Sequence, residues 1–130
     1  MNATIATPPT MPAWNLTLRF CLELAALTGL GMGAWRLSPG PTRLATVAAV
    51  PLGAAAAWAV FNVVGDPSRS GSAPVEVPGW ARLTLELGIL LAAAVAFVIA
   101  GRPGIGIAYT VVVALHYAAS VPRLQWLVTA

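Results

Sequence analysis

Four apolar stretches, each long enough to cross a lipid bilayer and each ended by a proline- or glycine-rich break, dominate this sequence. They cover residues 14–35, 42–64, 80–100 and 103–121. A membrane helix needs about 20 apolar residues, so the four spans and their connections take up nearly the whole chain. The breaks are Ser38-Pro39-Gly40-Pro41, Gly101-Arg102-Pro103-Gly104 and one longer loop, residues 65–79; such clusters are strong turn signals. Only 8% of the 130 residues are charged, against about 25% in a soluble domain. So few charges cannot cover a water-facing surface. The expected fold is all-α, a single four-helix transmembrane bundle in the lipid bilayer, with no room for a soluble catalytic domain.

The flanks follow from the same reading. Residues 1–13 carry Pro8, Pro9 and Pro12 without a basic or apolar segment of their own, so they read as a flexible polar tail rather than a signal peptide. Pro122 ends the fourth span, and residues 122–130 are expected to form a short interfacial tail. Pro51, near the middle of the second span, is expected to kink it, which a membrane helix tolerates when neighbours satisfy the released carbonyl. Asn2-Ala3-Thr4 and Asn15-Leu16-Thr17 match a glycosylation acceptor pattern too short to carry weight.

Trp14, Trp80 and Trp126 fall near one membrane face and Trp35 near the other, as interfacial aromatic belts do. Four spans place both termini on one side. That side and the long loop carry Arg19, Arg69, Arg82 and Arg123, and the two short turns carry Arg36, Arg43 and Arg102. Four arginines against three give a cytoplasmic side to the termini under the positive-inside rule, in a bacterial plasma membrane. The net charge of +3 is too small and scattered for nucleic-acid binding. Cys21 is the only cysteine, so no internal disulfide forms.

The two halves of the chain echo one another. Arg19-Phe20-Cys21-Leu22-Glu23-Leu24 opens the first span and Arg82-Leu83-Thr84-Leu85-Glu86-Leu87 opens the third. Small residues at helical spacing follow each: Ala25, Gly29 and Gly33, then Gly88, Ala92, Ala96 and Ala100. The bundle thus reads as two similar helical hairpins, parallel repeats about an axis normal to the membrane. Small stripes let helix backbones approach closely, so these positions are candidates for packing within the bundle and for self-association or binding to another membrane protein.

Polar residues inside the spans each need an explanation, because burying charge in a membrane is costly. Arg19, Glu23, Asn62, Arg82, Glu86 and His116 all fall toward the side that carries the long loop, and form one candidate polar cluster. Two readings compete. Glu23, Glu86 and His116 could bind protons or a small cation, since carboxylates sharing a buried site raise each other's pKa. Alternatively, Arg19 with Glu23 and Arg82 with Glu86 neutralise one another at i,i+4, with Asn62 and His116 as interhelical glue. The structural reading is favoured, because polar glue is common. No metal set emerges, since zinc sites use three or four Cys, His or carboxylate ligands, and no catalytic constellation or cofactor motif appears.

Taken with Trp58 to Phe61 and the loop Gly65-Asp66-Pro67-Ser68-Arg69, the segment from Leu18 to Leu24 and the segment from Arg82 to Glu86 resemble the YrdB-like family. These are small bacterial membrane proteins of unknown function with four predicted spans. The resemblance implies the fold and no reaction. The expected function is therefore a non-enzymatic structural or accessory membrane component. A small proton or solute transporter using the intramembrane carboxylates is the alternative, and a quinone-linked redox subunit is a second.

Overall fold

A computed structural model describes residues 7–68 and 72–130. The start of the polar tail, the Asn2 acceptor pattern and Arg69 lie outside the described residues. Among the described residues the elements are all helical apart from one two-residue ladder: α1 (Ala13–Leu37), α2 (Thr42–Val60), β1 (Phe61–Asn62), β2 (Val75–Glu76), α3 (Gly79–Ile99), α4 (Pro103–Ala119) and α5 (Val121–Thr129). Helices α1, α2 and α3 are each long and apolar enough to cross a membrane; α4 and α5, bent by 72° at their junction, meet that test only together.

Turn chemistry sets the boundaries. Gly40, with φ of +55°, lets the chain reverse between α1 and α2 where a side chain would be strained. At the end of α3, Gly101 has φ of +79°. Its N–H bonds Val98 O at 3.0 Å while Arg102 N–H reaches Phe97 O at 2.9 Å. This paired closure satisfies two terminal carbonyls of the helix. Pro103 then opens α4, where its missing N–H costs nothing.

Helix α2 ends at Val60, four residues before the sequence suggested. The reason lies in α3. The Arg82 Nη1 group donates to Trp58 O at 2.5 Å and Phe61 O at 2.6 Å, placing a cation on the last carbonyls, where the helix dipole favours it. Phe61 and Asn62 then run extended, paired in parallel with Val75 and Glu76. Asn62 is thus a loop-anchoring residue rather than part of a span. Its Nδ2 donates to Ser72 O at 3.2 Å and its Oδ1 accepts from Val63 N–H at 2.9 Å. The extended reach around Val75 follows from the flanking prolines. Pro51 lies within α2 and packs its ring over Gly31 of α1.

The core is built on α1 and α3, with α2 against α1 and α4 against α3. Arg19 and Arg82 both lie against the Trp58 ring, and farther along Gly33 meets Ala96. These pairs have the same sequence separation, so α1 and α3 run parallel and in register, as the repeat requires. The approach is close: a Cβ on Gly29 would lie 2.7 Å from Phe97 Cε2, and one on Gly33 would lie 2.7 Å from Ala96 Cβ. Leu22, Ala26, Leu90, Ala93 and Phe97 fill the contact, and Tyr109 and Val113 add the α4 side. Tyr109 donates its hydroxyl to Leu90 O at 3.0 Å, which satisfies its buried polar tip.

The short tail expected at residues 122–130 is helical. It forms α5, which folds back against α3 with Arg123, Trp126 and Leu127 buried. Gly79 makes this possible, because a Cβ there would lie 1.6 Å from Leu127 O. The outer surface of the bundle is apolar, with Leu44, Leu52, Leu91, Val95, Ile107 and Leu115 exposed.

Candidate functional site

One end of the bundle holds an ionic network centred on Glu86, which is fully buried. Its Oε2 accepts from Arg82 Nε at 2.7 Å and from Arg123 Nη2 at 2.6 Å. Its Oε1 accepts from the Tyr117 hydroxyl at 2.7 Å and from Arg123 Nη1 at 3.1 Å. Arg19 adds an ion pair, Nη2 to Glu86 Oε2 at 2.9 Å. One carboxylate from α3 thus ties together α1, α4 and α5.

Arg123 extends the network to the long loop. Its Nε and Nη2 grip Asp66 Oδ1 and Oδ2 at 2.9 and 2.8 Å, the two-pronged geometry that suits guanidinium to carboxylate. Asp66 also accepts from Ser68, both from its N–H at 2.9 Å and from its hydroxyl at 2.8 Å. Burial pushes the Asp66 carboxyl up, but these donors and the Arg123 charge hold it below the usual carboxylate range. The loop folds down onto the network through this residue.

The Trp58 ring supports the like charges. Arg19 and Arg82 guanidiniums each lie 5.0 Å from its centroid, a cation–π arrangement. Their repulsion is offset by Glu86 between them. Around the rim, Asn15 Nδ2 donates to Ser120 Oγ at 3.0 Å, and Ser120 donates to His116 O at 2.8 Å. These bonds hold α1 to the bend between α4 and α5. Several buried polar atoms have no hydrogen-bond partner: Arg19 Nε and Nη1, Arg82 Nη2, and both ring nitrogens of His116.

Of the residues singled out in the sequence, Arg19, Arg82 and Glu86 meet in this network. His116 lies beside it, its ring edge-on to Tyr117 at 5.2 Å. Glu23 is partly buried and lines a groove of about 260 Å³ between α1, α2 and α3, with Ala26, Ala54, Ala55, Ile89 and Trp58, the ring on which Arg19 and Arg82 lie. Asn62 serves the loop instead. Among the packing candidates, Gly29 and Gly33 face α3, and Ala96 faces α1. Ala25 is partly buried against the core, whereas Gly88 and Ala92 point outward.

Asp66, Trp58, Tyr117 and Arg123 belong to the network but were not picked out as site residues. Arg123, Trp126 and Leu127 recur at helical spacing, a pattern that marks one buried face, and Pro122 obscured it by reading as a stop. For Asp66 no periodic signal exists. Among the described residues, no group of three or more His, Cys, Asp or Glu is placed to hold a metal ion.

The protein is thus a helical bundle with three to four apolar helices of membrane-crossing length, locked at one end by buried ion pairs. The chain belongs to a family described as protein of unknown function (DUF2568), whose profile matches residues 17–114. That range includes Arg19, Asp66, Arg82 and Glu86 and stops before His116, Tyr117 and Arg123. The chain is also 38% identical over 113 residues to the uncharacterized protein YrdB of Bacillus subtilis (strain 168), covering 87% of this chain and 92% of the relative. No solved structure matches it.

Proposed function

We propose that this protein is a non-enzymatic, multi-pass component of the bacterial plasma membrane that acts by assembling with itself or with another membrane protein. The carrying observation is the outward face of α2. Only Trp58 of this helix is buried. Ala45, Ala49 and Gly53 lie at i, i+4 and i+8 on the exposed side, opposite the Val47 and Pro51 face that meets α1. A small-xxx-small stripe facing lipid lets a second helix backbone approach closely. The α1 stripe is already used inside the bundle, so α2 is the better interface.

The network favours this reading over proton transport through Glu86. Its carboxylate is engaged by three arginines and a tyrosine. A relay needs a carboxylate with an oxygen open to the proton, and both oxygens of this one are already occupied by donors.

The pattern of exposed charge also supports an orientation opposite to the one the arginine count suggested. Among the described residues, Arg19, Arg82 and Arg123 are buried in ion pairs, while Arg36, Arg43 and Arg102 stand at the surface or partly so, beside the short turns. This distribution supports short turns in the cytoplasm and termini outside.

The test is the protomer number in lipid nanodiscs, counted by single-molecule photobleaching. Wild type is expected to be dimeric or larger, and Ala49→Leu plus Gly53→Leu to be monomeric with unchanged melting. A wild type that remains one protomer per disc at every loading density would sink self-assembly. Co-purification of a defined membrane partner, lost in the same variant, would carry the other branch.

A further inference from the structure

The end of the bundle opposite Glu86 carries a different kind of feature. A cleft of about 510 Å³ lies between α1, α2 and the α3–α4 turn. Its long wall is α1 from Leu27 to Arg36, about 14 Å of helix. Met32, Val47, Pro51 and Ala100 make it apolar, and Arg36 and Arg102 stand at its mouth with Trp35.

The charge at this end is one-sided. The four acidic residues of the chain are Glu23, Asp66, Glu76 and Glu86, all toward the network end. The nearest along α1, Glu23, precedes Arg36 by about 20 Å of helix. Arg43 adds a third cation, its guanidinium 5.0 Å from the Trp35 ring centroid and its Nε on Ser38 O at 2.9 Å. Neither Arg36 nor Arg102 has a side-chain hydrogen bond or ion pair among the described residues. Two unpaired arginines therefore stand at the mouth of the cleft, with a third stacked on the Trp35 ring that lines it.

We propose that this cleft binds an anionic phospholipid, with its phosphodiester between Arg36 and Arg102 and an acyl chain along Leu27 to Trp35. Charge complementarity identifies the occupant. A zwitterionic headgroup would bring a second cation to three arginines that have no acid nearby, whereas an anionic headgroup neutralises them. Basic pockets between membrane helices hold anionic headgroups in this manner. Arg36 and Arg102 can each donate two parallel hydrogen bonds to phosphate oxygens. The site uses the α1-facing side of α2, so it stands independently of assembly through Ala49 and Gly53.

The test is thermal unfolding of the full chain in neutral detergent with phosphatidylglycerol, phosphatidylcholine of the same chains, or inorganic phosphate. A ligand that binds only the folded state raises the melting temperature. Phosphatidylglycerol is expected to raise it by several degrees more than phosphatidylcholine, with no effect of phosphate. Arg36→Gln plus Arg102→Gln, both exposed positions, should abolish that difference. Thr28→Trp, which fills the channel and leaves the arginines in place, should also abolish it, and decides the matter if the arginine variant does not fold. Equal effects of the two lipids, a full effect of phosphate, or a difference that survives both variants would each overturn the proposal.

Discussion

Glu86 is the residue on which the most interactions converge, and its removal is the sharpest residue-scale experiment. Breaking a buried ion pair by deleting one partner costs about 3–5 kcal/mol, because the remaining charges stay buried. Glu86→Gln is therefore expected to lower stability by roughly that amount, read as denaturant or thermal midpoint in detergent. It should leave passive proton flux into proteoliposomes unchanged from wild type. A flux present in wild type and absent in Glu86→Gln would instead establish a conduction site. Asp66 gives a pH-dependent counterpart. Its folded pKa lies below the ordinary value, so its contribution is complete above about pH 4 and is lost as pH falls through the lower, folded pKa. Wild type should exceed Asp66→Asn in melting temperature at pH 7, with the gap closing below about pH 4. A gap that persists into strong acid would mean that the Asp66 charge contributes nothing. At this scale the sequence carried three of the network's seven side chains. Arg19, Arg82 and Glu86 announce themselves, because charge inside an apolar run demands a partner. Asp66 and Arg123 do not, since both lie where charges are ordinary and only tertiary closure buries them.

At the scale of elements, two glycines make opposite predictions from a third. Gly33 meets Ala96 and Gly79 meets the Leu127 carbonyl, both too closely for an added methyl group, whereas Gly53 meets nothing. Gly79→Ala should lift α5 from α3, seen as faster hydrogen exchange across residues 121–129 with α1 to α3 still protected. Gly33→Leu should prevent folding altogether, while Gly53→Leu should not change the melting temperature. Equal tolerance at all three positions would contradict the packing described. The apolar runs and their breaks made α1 to α4 legible, and the duplicated Arg-x-x-x-Glu made the hairpin pairing legible. The early end of α2 was not, because it depends on Arg82 taking its final carbonyls, a contact between residues 24 positions apart. Nor was α5, whose single Pro-led stretch of nine residues is too short to announce a helix.

For the whole molecule the decisive property is polarity from end to end. One end gathers buried, mutually compensated charge; the other displays uncompensated arginines. The orientation proposed from this asymmetry is checked with single cysteines in a Cys21→Ala background, using a membrane-impermeant maleimide on intact cells. Thr129→Cys is expected to label at once and Pro39→Cys only after permeabilisation. The reverse pattern would return the termini to the cytoplasm. The arginine count and the exposed charge point to opposite sides, because the count treats a buried, paired guanidinium as equal to an exposed one.

The position of α5 in the chain gives this architecture an order in time. Arg123 follows every other member of the network in the chain, which makes the docking of α5 the step that closes it. With α5 undocked, Asp66 would lose its clasp and Glu86 would keep only Arg19, Arg82 and Tyr117. A chain cut before Arg123 would expose polar groups that the closed bundle hides. A membrane protease that surveys newly made proteins would meet the difference between the two as an open or a shut end of the same bundle.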